Sequence, residues 1–114
     1  MHALRTAVSL LAASDPESDG VELENVRRVG LKLTAQTVTL TAALQRLRSG
    51  GEPVAPHPEL GLAANFLYMT SGEEPSPAAV RVMDVALVLH AEHGSNASTF
   101  VARATASTLT DVYS

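Results

Sequence analysis

The chain has 114 residues, enough for one small domain with a single core. With 46% hydrophobic and 18% charged residues it is unlike a disordered protein, and a 4% aromatic share predicts a core of Leu, Val and Ala. The net charge is −4, and the eight Lys and Arg residues are scattered, which argues against binding to nucleic acid or to an anionic membrane surface. The absence of cysteine excludes disulfides and thiolate metal sites and fits a reducing cytoplasm.

The first predicted element is a helix from about Ala3 to Ala13, because Leu4, Val8 and Leu11 recur at helical spacing. An Arg before a short apolar run also gives this segment a faint similarity to a signal peptide. Polar residues interrupt that run, so an amphipathic helix is favoured. No segment approaches the ~18 apolar residues that a membrane span requires.

The second predicted helix is long, from about Leu23 to Arg48, and follows the turn-forming segment SDPESDG. Its apolar face is formed by Val26, Val29, Leu33, Thr37, Leu40, Leu44 and Leu47. The stretch TVTLTAAL within it has strand character, but no partner strand is nearby and the helical pattern prevails. Arg46 and Arg48 suit the negative end of the helix dipole, and Gly50 with Gly51 can close the helix.

Three shorter helices are predicted after a proline-rich loop, the first from about Leu60 to Thr70. The next begins at Pro77, has Ser76 as its N-cap and runs to about Glu92. It is apolar on nearly every side, which is typical of a helix inside a larger helical body.

Gly94 is predicted to stop that helix, and Asn96 to cap a fifth helix that ends near Ser107. The predicted fold class is therefore all-α, with about five helices and no sheet. Both ends of the sequence resemble cut ends, because the chain starts almost inside a helix and Thr110 or Asp111 offers a new N-cap just before the last residue. We therefore expect an internal piece of a longer protein.

The stretch LHAEHGSNASTF, residues 89–100, carries the most chemistry. His90 and His93 are spaced to share a zinc ion, but the same face offers no third protein ligand, so no metal site is predicted. His93, Asn96 and Ser98 lie where one helix ends and another begins, an arrangement that can bind a carboxylate. The alternative is that His93 is a capping or buried structural histidine.

Three segments closely resemble the large domain of bacterial citrate synthases: LAANFLYMTSGEEPSP, MDVALVLHAEHGSNASTFVAR and ASTLTDVYS. The likeness extends upstream through LRTAVSLLAASDPE and the long helix, so residues 1–114 correspond to part of the large, helical domain. Ser95 replaces the bulky residue expected before Asn96. The family's small domain and its later catalytic segments, including a Gly-Pro-x-His-Gly-Gly-Ala-Asn motif, have no match here.

The resemblance implies an all-α homodimer that condenses acetyl-CoA with oxaloacetate to give citrate and CoA, without a cofactor. It implies that His93 hydrogen-bonds oxaloacetate, that Asn96 and Ser98 are supporting polar positions, and that His90 is the first histidine of the pair, with a less defined role. The family's catalytic Asp, its enol-stabilising His, its ketone-polarising His and its carboxylate-binding Arg residues have no match in this chain. The 114 residues alone are therefore expected to be inactive.

The resemblance also implies that the helices over residues 3–13 and 23–48 pair with a second subunit. Two alternatives stay open. One is a 2-methylcitrate synthase, which uses propionyl-CoA, since the residues that decide the acyl group have no match here. The other is a truncated relative that keeps the helices for dimerisation and has no catalytic activity.

Overall fold

The computed structural model describes residues 1–114 and contains five α-helices and no strand. The helices are α1 (His2–Ala12), α2 (Leu23–Arg48), α3 (Leu62–Ser71), α4 (Pro77–Ala91) and α5 (Ala97–Ala106). The prediction of an all-α fold is confirmed, and periodicity together with the capping and turn residues locates each helix to within two residues at either end. None of the five helices combines the length and the hydropathy needed to cross a membrane.

The chain divides into two units. The terminal unit consists of Met1–Gln36 and Gly94–Ser114, and the central unit consists of Thr37–His93. Since the boundary falls inside α2, this helix contributes its first half to the terminal unit and its second half to the central unit.

In the terminal unit, the faces predicted to be apolar are the less exposed sides of α1 and α2. Leu4, Val8 and Leu11 of α1 are half-buried, and Val29 of α2 is fully buried. Leu31, on another side of α2, remains 75% exposed. The spacing of apolar residues therefore predicts correctly which side of each helix turns inward.

In the central unit, α3 packs against α4. Ala63, Ala64 and Met69 of α3 are buried, as is Ala42 of α2, so small side chains make up most of this core. No residue of α4 itself is buried, and Val82 and other apolar side chains of this helix stay largely exposed. The side of α4 that carries Val82, Val88 and Leu89 is therefore left exposed, whereas Val80, Met83, Ala86 and Leu87 are half-buried.

Two polar side chains fix the connections of the central unit. Asn65 ties the proline-rich loop to α3, because its side chain accepts a hydrogen bond from the His57 N–H (2.8 Å) and donates to the carbonyls of His57 (2.9 Å) and Leu60 (2.7 Å). Arg46 of α2 donates from Nε to the Glu52 carbonyl (3.0 Å) and from Nη1 to the Ser71 carbonyl (3.1 Å). Arg46 thus also satisfies a carbonyl at the end of α3, beyond its predicted role at the end of its own helix.

The predicted N-caps of α4 and α5 are confirmed. Ser76 Oγ accepts a hydrogen bond from the Ala79 N–H at 3.2 Å, with Pro77 in the first turn of α4.

The prediction that Gly94 stops α4 is wrong. The helix already ends at Ala91, because Glu92 adopts an extended conformation, and Gly94 takes a positive φ of 95° in the following turn.

The C-terminus of α2 forms a Schellman motif at the predicted glycine pair. Gly50 has a φ of +77°, its N–H donates to the Leu47 carbonyl at 3.1 Å, and the Gly51 N–H donates to the Arg46 carbonyl at 2.9 Å. This left-handed conformation is the reason why glycine is favoured at position 50.

Two glycine-to-alanine substitutions should have opposite effects on stability. Gly50→Ala should lower the free energy of unfolding by about 1–2 kcal/mol, because a side chain at this positive φ is strained even though the surrounding space is open. Gly30→Ala should raise it by about 0.5–1 kcal/mol, because Gly30 lies inside α2 and an added Cβ meets nothing within 4 Å. Urea unfolding of both variants measures the two effects. Equal shifts in the same direction would contradict this account of the helix end.

Candidate functional site

Asn96 and Ser98 lie at the start of α5. Asn96 has extended backbone angles, and its Oδ1 accepts a hydrogen bond from the Thr99 N–H at 2.8 Å. The cap uses the side-chain oxygen of Asn96 to satisfy one N–H group of the first turn. The Nδ2 amide is therefore the group that Asn96 can offer as a donor. The exposed Ser98 hydroxyl follows in the same turn, at the positive end of the helix dipole.

Ser98 also borders an open groove of about 860 Å³ in the terminal unit. The groove is lined by the start of α2, one face of α5 and the last residues of the chain: Val21, Leu23, Val26, Ala97, Ser98, Val101, Ala102, Thr105, Ala106, Leu109, Thr110, Asp111, Val112 and Ser114. The lining is largely apolar, and its one charged side chain is the carboxylate of Asp111. The groove therefore offers no cation for a dicarboxylate and suits apolar groups better.

His90 is an exposed residue in the last turn of α4, in the central unit. Its Nδ1 lies 2.7 Å from the Ala86 carbonyl oxygen. Because a carbonyl only accepts, Nδ1 carries the proton in this contact, and Nε2 of the neutral ring is left as an acceptor. The backbone contact thus fixes both the tautomer and the direction of the ring.

His93 follows α4 and belongs to the same unit. Its backbone N–H donates to Glu92 Oε1 at 2.9 Å, and its side chain is exposed. The interpretation of His93 as a buried structural histidine is therefore wrong. The structure brings Asn96 and Ser98 together on one helical turn, whereas His90 and His93 lie in the central unit. No group of three or more His, Asp or Glu side chains is assembled that could hold a metal ion.

Sequence patterns do not predict a polar cluster that forms around the buried Asp15 in the terminal unit. Asp15 is 5% exposed, and its Oδ2 accepts hydrogen bonds from the Tyr113 hydroxyl (2.5 Å) and from Lys32 Nζ (2.9 Å). Its Oδ1 accepts from the Glu17 N–H at 3.1 Å. We call Asp15, Lys32 and Tyr113 the Asp15 cluster. Since Asp15 and Tyr113 are 98 residues apart, no spacing pattern along the chain could have predicted their contact.

The Asp15 cluster shifts the pKa of both of its acids. The hydrogen bond from Tyr113, followed by that from Lys32, lowers the pKa of Asp15 to about 2. Burial, followed by the hydrogen bond to Asp15, raises the pKa of Tyr113 to about 12. The folded chain thus favours a charged carboxylate facing a protonated phenol.

These pKa shifts predict that the free energy of unfolding decreases at both low and high pH. The Asp15 contribution is fully present above the ordinary pKa of 3.8 and is lost as the pH falls through about 2. The Tyr113 contribution is fully present below the ordinary pKa of 10.0 and is lost as the pH rises through about 12. Urea midpoints measured across pH should show a weaker acid-side loss in Asp15→Asn and a weaker alkaline-side loss in Tyr113→Phe. Unchanged pH slopes in both variants would refute this assignment.

A family model described as "Citrate synthase, C-terminal domain" matches residues 1–114. The chain is 51% identical over 114 residues to a citrate synthase of Deinococcus radiodurans, covering 100% of this chain and 30% of that protein. It is 43% identical over 114 residues to a 2-methylcitrate synthase of Mycobacterium tuberculosis, covering 100% of this chain and 28% of that protein.

A solved structure of similar fold is the crystal structure of citrate synthase from Pyrobaculum aerophilum. The TM-score is 0.82 at 37% identity, and the match covers 98% of this chain and 30% of that one. The chain thus spans about 30% of the length of the curated relatives it matches.

Proposed function

The chain belongs to the citrate synthase family, and from this premise we propose that residues 1–114 act within an enzyme that condenses acetyl-CoA with oxaloacetate to give citrate and CoA. The observation that carries the proposal is the family match across all 114 residues. This match includes residues 89–100, where the polar side chains concentrate. Because the chain spans about 30% of its relatives, the proposed activity is that of the whole enzyme.

Within such an enzyme, we assign four side chains to oxaloacetate binding. His93 hydrogen-bonds the substrate, because an accessible imidazole supplies a charge-assisted hydrogen bond to a carboxylate. We assign supporting roles to the amide of Asn96, the N-cap of α5, and to the hydroxyl of Ser98 in its first turn, because the dipole at this helix end favours an anion. His90 has a less defined part, because its Nδ1 contacts the Ala86 carbonyl and the Nε2 of the neutral ring accepts, as the oxygens of oxaloacetate do.

The chemical steps fall to groups outside these four side chains. Abstraction of a methyl proton from acetyl-CoA needs a base, and the resulting enol and the ketone of oxaloacetate each need a hydrogen-bond donor. The family supplies these groups from an Asp and two His residues that have no match in residues 1–114. The proposed reaction uses acetyl-CoA as substrate and no separate cofactor.

A 2-methylcitrate synthase is the second candidate, because the M. tuberculosis relative of that name is 43% identical over the same 114 residues. That activity would use propionyl-CoA in place of acetyl-CoA. The proposed oxaloacetate residues serve both reactions, since the two differ only in the acyl group.

A chimera tests the proposed function. Residues 1–114 replace the matching stretch of the D. radiodurans citrate synthase, which aligns with this chain over its whole length. The chimera should release thiol from acetyl-CoA in a reaction that depends on oxaloacetate, at a rate comparable with the unmodified enzyme. A chimera that folds and dimerises but has no activity would refute the proposal and favour a non-catalytic dimerisation module.

We further propose that α1 and α2 pair with a second copy of the protein. The proposal is supported by apolar side chains on these helices that the chain leaves in water: Leu10 is 67% exposed, and Leu23 and Leu31 are each 75% exposed. Burial of one such side chain stabilises an assembly by about 1.5–3 kcal/mol. A few of these side chains therefore amount to a large part of a small domain's net stability of about 5–15 kcal/mol.

The 114-residue chain should accordingly dimerise or form larger soluble assemblies, or else be loosely packed. Light scattering across a concentration series and binding of a dye to exposed apolar surface measure both outcomes. Leu31→Lys should weaken the association, whereas Ala55→Lys adds the same charge in an exposed loop and should not. A dilute monomer that unfolds cooperatively and binds no dye would contradict this prediction.

A further inference from the structure

Helix α5 has little packing to hold it in the terminal unit. None of its residues is buried, and Phe100 and Val101 are 70% and 60% exposed. A short helix in a protein is normally held in place by burying its apolar face. Within residues 1–114, the position of α5 therefore depends on contacts other than apolar packing.

The segment after α5 provides such a contact through Tyr113, which is 7% exposed. Backbone hydrogen bonds continue beyond the helix, from the Thr108 N–H to the Thr105 carbonyl and from the Leu109 N–H to the Ala106 carbonyl, each at 3.0 Å. Asp111 Oδ1 then accepts a hydrogen bond from the Tyr113 N–H at 2.7 Å. Only Thr110 separates these two bonded stretches, so a displacement of Tyr113 is transmitted to α5 through a short connection.

Tyr113 binds Asp15 on a turn that is itself held in place. The Glu17 N–H donates to Asp15 Oδ1. Arg28 of α2 donates two hydrogen bonds to the Glu17 carboxylate, from Nη2 at 2.6 Å and from Nε at 3.0 Å. Asn25 Nδ2 donates to the Glu17 carbonyl at 3.0 Å. The acceptor for the Tyr113 hydroxyl is therefore fixed relative to α2.

We infer that the Asp15 cluster sets the position of α5 and, through it, of Asn96 and Ser98, so that Asp15 and Tyr113 are positioning residues for oxaloacetate binding. The inference rests on the function proposed above for Asn96 and Ser98. Neither Asp15 nor Tyr113 touches the substrate. Loss of the cluster lets α5 shift as a rigid rod, and a small misplacement of binding groups weakens the binding of the substrate they hold.

Tyr113→Phe in the chimera tests this inference, because it removes only the hydroxyl and keeps the ring. We expect about a tenfold rise in KM for oxaloacetate, no change in KM for acetyl-CoA, and faster hydrogen exchange of the backbone amides of α5. The matched control is Tyr68→Phe, which alters the other tyrosine of the chain. Asp15→Asn keeps one oxygen that can accept from Tyr113 but replaces the other with an amide group that only donates, and it removes the charge facing Lys32, so it should change KM for oxaloacetate and α5 exchange in the same direction.

Each outcome decides the inference. Unchanged amide exchange in α5 overturns it, whatever the activity. Faster exchange with equal changes in both KM values, or with neither changed, overturns the positioning role. An inactive parent chimera instead refutes the proposed function and removes the positioning role with it, while the exchange data still show whether Tyr113 holds α5. If Tyr113→Phe does not fold, the same measurements on Asp15→Asn decide.

Discussion

His93→Ala in the chimera should raise KM for oxaloacetate about ten- to a hundredfold while leaving KM for acetyl-CoA nearly unchanged, because a hydrogen bond to a charged group contributes about 1.5–3 kcal/mol. The His93 side chain is exposed, and the His93 backbone N–H donates to Glu92 Oε1. Its removal should therefore disturb the fold little, so the loss should be confined to the substrate that the imidazole contacts.

His2→Ala is the matched control for His93→Ala, since His2 is an exposed histidine in α1. It should leave both KM values unchanged. Steady-state kinetics with each substrate varied in turn provides the measurement. An equal effect of His93→Ala on the two substrates would indicate a folding or capping role for this residue.

The 114 residues on their own should show no detectable citrate synthase activity. The base, the enol stabiliser and the ketone polariser of the family have no match among these residues, and loss of one acid or base alone typically lowers a rate by ~10²–10⁴-fold. The assay is thiol release from acetyl-CoA by the purified chain, with and without oxaloacetate.

The chimera assayed alongside is the positive control, because it contains the same 114 residues together with the remaining groups of the D. radiodurans enzyme. Oxaloacetate-dependent thiol release by the purified chain, above the buffer background, would overturn this prediction. Such activity would also mean that residues 1–114 contain a catalytic group.

The parts of the fold that depend on neighbours in sequence could be predicted. The apolar face of α2 follows from residues three and four apart, and the caps at Ser76 and Asn96 require only contacts within one turn. The end of α4 is predicted to within one residue, but the residue that stops the helix could not be identified in this way. Glu92 adopts an extended backbone conformation, so the helix ends two residues before Gly94. The position of the glycine does not determine this conformation.

Contacts between distant parts of the sequence could not be predicted. Asp15 follows α1 in a turn of polar residues, and nothing nearby indicates that Tyr113 and Lys32 would bury its carboxylate. The position of Arg46 in the last turn of α2 predicts only a favourable interaction with the helix dipole, yet Arg46 also donates a hydrogen bond to the Ser71 carbonyl at the end of α3.

The substrate of the proposed site could not be predicted from its residues alone. The types of these side chains indicate a carboxylate pocket, but only the family resemblance links that pocket to oxaloacetate. Helix periodicity and the types of these side chains do not identify the substrate.

A crystal structure of the chimera with bound oxaloacetate tests the central claim most directly. The quantity to measure is the distance from the ring nitrogens of His93 to the nearest oxygen of the ligand. We predict a hydrogen bond of about 2.7–3.2 Å, with Asn96 and Ser98 beside the same ligand. Oxaloacetate bound with its oxygens beyond hydrogen-bonding distance of His93 would contradict the assignment of this residue to the substrate site.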